Sequence, residues 1–135
     1  MAPSYVEIAL RAGHRCEYCR APEELTNFRF PVDHIVPRVA APELLADPSN
    51  LALSCPSCNL FKADHTHGTD PPTGERVELF HPRRDRWPDH FAWSDDGLEI
   101  IGQTAAGRAT VALLRMNSAA QRRARAFWLT TDRFP

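Results

Sequence analysis

The chain has 135 residues, a formal net charge of −1 and 43% hydrophobic residues, values that suit one small folded domain with a modest core, to which a bound metal would add stability. No segment approaches the roughly 20 apolar residues of a membrane span. The near-neutral total hides an uneven distribution: from Gln103 to Pro135 six arginines face the single acid Asp132, and Lys62 is the only lysine. The positive charges are therefore mostly planar guanidinium forks, which suit phosphate groups and equally suit a solvated surface.

The first sixteen residues, "MAPSYVEIALRAGHRC", carry no apolar run of the signal-peptide kind, so the expected compartment is the cytoplasm, where thiols stay reduced. Four cysteines follow as two pairs, Cys16-Glu-Tyr-Cys19 and Cys55-Pro-Ser-Cys58. A C-x-x-C turn aims two thiolates at one point, and two such turns with no cysteine left over predict a tetrahedral structural zinc site. A redox motif is the rival, but it needs one C-x-x-C at a helix start, not two.

Between the pairs lies "FPVDHIVPR", Phe30 to Arg38, which reads as a short strand ending near Pro37 with Asp33 and His34 inside apolar neighbours. Alternate side chains of a strand point to opposite sides, so these two share a surface only if the strand twists or bends. Asn50, after Pro48 and Ser49, is a candidate helix N-cap. The stretch "PSCNLFKAD" reads as a helix from Pro56 to about Asp64, with Asn59 and Lys62 three residues apart on one face. Taken singly, Asp33 and His34 would be a buried polar pair, Asn59 an end to the cysteine turn and Lys62 a solvated lysine.

Taken together, "CEYC", "VDHIVPR", "NLALSC" and "CPSCNLFK" resemble the HNH endonucleases, in the branch where a zinc ion on four cysteines braces a ββα-metal motif. The resemblance covers about Arg15 to Asp64. It implies that His34 is the general base, that Asn50 holds the loop and orients the histidine, and that Asp33 and Asn59 hold a catalytic divalent ion. Asn59 stands where many members have a histidine. A neutral oxygen ligand in place of an imidazole tilts the site toward Mg or Mn. Phosphodiester hydrolysis of DNA is the activity implied. A non-catalytic zinc-binding module for nucleic acid or protein, and an RNA-directed nuclease, are the alternatives.

Past the core, His65 and His67 fall in a Gly- and Pro-rich stretch and read as exposed loop histidines, His65 being the better candidate for a substrate contact, beside Lys62. Val77 and Leu79 alternate as in a strand ending at Pro82, and Arg83, Arg84 and Arg86 cluster beside Trp87 as a candidate nucleic-acid patch. "FAWS" and "LEIIG" flank Asp96-Gly97 as a β-hairpin. Two helices should close the domain. The first runs from Thr104 to about Arg115, ending near Asn117. The second opens at a Ser118/Gln121 capping box, with Ala120, Ala124, Phe127 and Trp128 on an apolar face and Arg122 and Arg125 opposite, toward solvent. "GTDPPTGE", "LFHPRR", "HFAW" and "GRAT" weakly resemble an extension of bacterial HNH-type proteins. The expected fold is α+β: a single domain over 1–135, with a core at about 15–64 and a C-terminal extension at about 77–135.

Overall fold

The chain opens on a helix that its own first residues cap. In the computed structural model, which describes residues 3–135, the Ser4 hydroxyl accepts the Glu7 N–H at 3.2 Å and the Glu7 carboxylate accepts the Ser4 N–H at 3.0 Å. This reciprocal pair starts α1 (Tyr5–Arg11), whose Ile8 and Ala9 are buried. Gly13 and His14 then take positive φ and turn the chain into the first cysteine pair.

The ββα unit follows. Strand β1 (Val32–His34) pairs antiparallel with β2 (Leu51–Leu53), with Asp33 opposite Ala52 and His34 opposite Leu51. Helix α2 (Pro56–Lys62) begins three residues after β2, with Cys55 as its N-cap and Pro56 at its first position. The strand expected over 30–38 is thus only three residues long, because Ile35 already bends away into the β1–β2 loop. That loop contains two 3₁₀ turns, Pro42–Leu44 and Pro48–Asn50. The cap of the second is Asp47, whose carboxylate accepts the Ser49 N–H at 2.9 Å, so Asn50 is not an N-cap.

Two further hairpins complete the sheet structure. Strand β3 (His67–Thr69) pairs with β4 (Arg76–Glu78), and β5 (Phe91–Trp93) pairs with β6 (Ile100–Gly102) across the Asp96-Gly97 turn, where Gly97 has φ +74°. The second agrees with the sequence reading. The first corrects it in part, since His67 belongs to a strand and not to a loop. Between them, α3 (Trp87–His90) carries Trp87 into an aromatic cluster with Phe91 and Trp93.

Helix α4 (Ala105–Leu113) packs on β6 and β3. Gly102 of β6 permits this approach, since a Cβ there would collide with the backbone of Gly107 and Arg108. Asn117, expected to end this helix, instead bridges Ile100, accepting its N–H and donating to its carbonyl, both at 2.8 Å. Helix α5 (Ala119–Trp128) starts at Ser118 as expected, the Ser118 hydroxyl accepting the Gln121 N–H at 3.2 Å. Its faces are not as expected. Phe127 is 70% exposed, while Arg125 is fully buried and donates to the carbonyls of Leu98 and Met116 and to Asn117 Oδ1. The whole is a small mixed α+β domain whose core joins Ile8, Tyr18, Leu53, Phe80, Phe91 and Leu114. Among the described residues no helix is long and apolar enough to cross a membrane.

Candidate metal and nuclease site

The two C-x-x-C turns meet as the sequence spacing requires. One ligand atom from each of Cys16, Cys19, Cys55 and Cys58 lies within 4.8 Å of all the others, and all four residues are buried. Each turn is closed the same way: Cys16 Sγ accepts the Cys19 N–H and Cys55 Sγ accepts the Cys58 N–H, both at 3.4 Å. Burial pushes the Cys16 thiol up, but hydrogen bonds from the other three sulfurs bring it well below the ordinary thiol value. Those same contacts with Cys16 push Cys55 and Cys58 well up. Four thiols crowded this closely cannot all ionise unaided, and a soft divalent cation is what would let them do so. The donor set fits such an ion.

Helix α5 closes this cluster from the C-terminal end. Gln121 directs its side-chain amide at Cys19 Sγ, 3.8 Å away, in place of completing a capping box. Burial lowers the Arg125 pKa, while Cys19 and Cys58 act to raise it. Neither residue was singled out for this role from sequence, where Gln121 reads as half of a capping box and Arg125 as a solvated arginine of an amphipathic helix.

The second site is a cleft of about 220 Å³ where the end of β1 meets the side of α2. Asp33, His34, Arg38, Asn59, Ala63 and Asp64 line it. Asp33 and His34, neighbours on β1, both reach this cleft. The His34 Nε2 lies 3.0 Å from the Leu45 carbonyl oxygen. A carbonyl only accepts, so this nitrogen carries the proton and Nδ1 keeps the lone pair. Asn50 holds the same loop: its Oδ1 accepts the Val36 N–H at 2.8 Å and its Nδ2 donates to the Val36 carbonyl at 2.9 Å.

Asp33 is 4% exposed. The Tyr18 hydroxyl donates to its Oδ2 at 2.8 Å, and Lys62 Nζ lies 3.2 Å from Oδ2 and 3.4 Å from Oδ1. Burial raises the Asp33 pKa, against the opposing pull of Lys62 and Tyr18. Lys62 is itself 2% exposed, with further bonds to the carbonyls of His34 and Ile35. An ammonium has three donors, and these partners use them. The lysine expected to meet a phosphate thus sits inside the domain, where it neutralises Asp33 and clamps the chain after β1.

The remaining expected contacts divide. His65 is exposed beyond α2, and Arg84 is exposed but pairs with Glu78 at 2.8 Å. Arg83 is only 17% exposed and pairs with the buried Glu17, and Trp87 donates its indole N–H to the Tyr18 carbonyl at 2.8 Å. Arg83 and Trp87 are therefore bolts between the extension and the first cysteine turn, while Arg84 and Arg86 stay exposed beside them.

With this geometry, comparison with known proteins is informative. Residues 16–65 match the family model of HNH endonucleases, and the likeness is confined to this central segment. The chain is also similar to the Septu protein PtuB of Bacillus thuringiensis, with 26% identity over 115 residues. That match takes in 84% of this chain and 41% of PtuB, so the chain spans about two fifths of its relative's length. No solved structure matches it. The HNH match supports a nucleic-acid-cleaving role.

Proposed function

We propose that the protein is a metal-dependent endonuclease that hydrolyses DNA phosphodiester bonds. In this reading zinc sits on Cys16, Cys19, Cys55 and Cys58, and Asp33 with Asn59 holds a catalytic Mg or Mn ion. The observation that carries it is the contact of His34 Nε2 with the Leu45 carbonyl beside a cleft that His34 shares with Asp33 and Asn59. A neutral ring held this way keeps its lone pair on Nδ1.

The oxygen donors fit a hard divalent ion, since a carboxylate offers about four lone-pair positions and Tyr18 and Lys62 do not exhaust them. Such an ion would polarise the scissile phosphoryl oxygen and stabilise the leaving oxygen. His34 accepts a proton from the attacking water at Nδ1. Asn50 holds Val36, and so keeps the loop that carries Leu45 in place against His34. Lys62 balances the Asp33 charge, and Arg38, exposed at the rim, is available to a substrate phosphate.

Supercoiled plasmid, single-stranded DNA and RNA offered in competition, with Mg, with Mn and with a chelator, test this reading. Nicking of the plasmid that disappears with the chelator is expected. Preferential cleavage of RNA would transfer the activity to an RNA-directed nuclease, and cleavage of none of the three would leave a binding module.

A further inference from the structure

Both residues between the first two cysteines are buried, and each is committed to one strand of the β1–β2 hairpin. Glu17 donates its N–H to the Leu53 carbonyl and accepts the Leu53 N–H on its carboxylate, both at 2.8 Å. This fastens β2. Tyr18 reaches the other strand, its hydroxyl donating to Asp33 Oδ2 at 2.8 Å. The tyrosine is fully buried, stacked edge-on to Phe80, and its carbonyl is held by Trp87. Its hydroxyl therefore has a fixed position relative to Cys16 and Cys19.

We propose that Tyr18 is the positioning residue for Asp33, coupling the four-cysteine cluster to the catalytic ion. The inference rests on the reading of Asp33 as an ion ligand. Lys62 supplies charge but little orientation, because its ammonium lies at similar distances from both carboxylate oxygens and also serves two carbonyls. Tyr18 makes one directional bond to one oxygen. That bond restricts the rotation of the carboxylate, and Oδ1, which Lys62 meets at 3.4 Å, keeps a further lone pair that a cation could take. Partners behind a metal ligand set its orientation and commonly change metal affinity by about 10–100-fold. The placement also has a consequence for the cluster: a turn held by bound zinc keeps the Tyr18 hydroxyl in register with Asp33, so loss of zinc loosens a ligand of the other ion.

The test is Tyr18→Phe in the full chain, which removes one oxygen and keeps the ring. Mn binding is measured directly, by the free-ion paramagnetic resonance signal, together with zinc content, thermal midpoint and cleavage against Mn concentration. The expected result is Mn binding weaker by about 10-fold, zinc retained, and cleavage recovered at higher Mn. Unchanged Mn affinity in Tyr18→Phe would overturn the proposal, as would loss of zinc together with Mn, which marks a general packing role. Asp33→Asn separates the two levels. If it abolishes Mn binding while Tyr18→Phe leaves Mn affinity unchanged, only the positioning role fails. If it too leaves Mn binding intact, the ligand role of Asp33 fails, and the positioning role fails with it.

Discussion

The side chain of Asn50 and the backbone of Val36 form a two-bond bridge, Val36 N–H to Oδ1 at 2.8 Å and Nδ2–H to the Val36 carbonyl at 2.9 Å. Asn50 thereby extends the β1–β2 pairing into the loop, its own carbonyl accepting the Ile35 N–H at 2.9 Å. Asn50→Ala removes both bonds from a residue that is 3% exposed. A loss of about 1–3 kcal/mol follows, read by urea denaturation, with reduced cleavage because Leu45 loses its fixed position against His34. Asn50→Asp keeps the acceptor and forfeits the donor, so it should fall between alanine and wild type.

Arg125 is a buried cation with three oxygen acceptors, and its charge faces the cysteine cluster. Arg125→Met leaves those oxygens unpaired, and stability should drop by about 3 kcal/mol or more. A zinc ion on four thiolates carries net negative charge, so the substitution should also speed zinc release to a chelator. A variant that unfolds earlier but gives up zinc at the wild-type rate would separate these two effects.

Stability should fall at both ends of the pH range, for opposite reasons. Burial pushes the Glu23 carboxyl up, but the Phe30 N–H, the Tyr5 hydroxyl and His14 together hold it below its ordinary 4.5. A depressed carboxyl stabilises the fold above its unfolded value, and that contribution is lost as pH falls through the folded one. Tyr5 is raised to about 12 by burial and by Glu23. Its contribution is complete below its ordinary 10.0 and disappears as pH rises toward 12. Thermal midpoints across pH should show a shallower acid slope in Glu23→Gln and a shallower alkaline slope in Tyr5→Phe.

At the end of α2, Ala63 holds φ +48° and ψ −126°, a region where a Cβ is strained and glycine is not. Relief of such strain is worth about 1–3 kcal/mol, offset by about 0.4–1 kcal/mol from the more flexible unfolded chain. Ala63→Gly should therefore raise the thermal midpoint. A lower midpoint would mean that the cleft beside Asn59 depends on the alanine methyl.

The ββα unit was legible through the resemblance to HNH endonucleases, which rests on local motifs: two C-x-x-C turns, the Asp33-His34 pair and the Asn50 and Asn59 positions. The Asp-Gly turn of β5 and β6 was legible for the same reason. What escaped depended on long-range partners. Lys62 reads as a surface lysine until Asp33, 29 residues earlier, arrives beside it. Arg125 reads as solvated until Leu98, Met116 and Asn117 surround it. Arg83 and Trp87 look like a nucleic-acid patch because composition cannot reveal that Glu17 and the Tyr18 carbonyl are already their partners. Tyr18 itself carried one sequence signal, its place between two ligand cysteines, but nothing local says that its hydroxyl meets Asp33.

Nicking of supercoiled plasmid by wild type and His34→Ala, across a Mg and Mn titration, tests the central claim most directly. The account predicts ion-dependent nicking by wild type and a rate lower by about 100-fold or more in His34→Ala, with zinc content and thermal midpoint preserved. Equal nicking by the two proteins would contradict it.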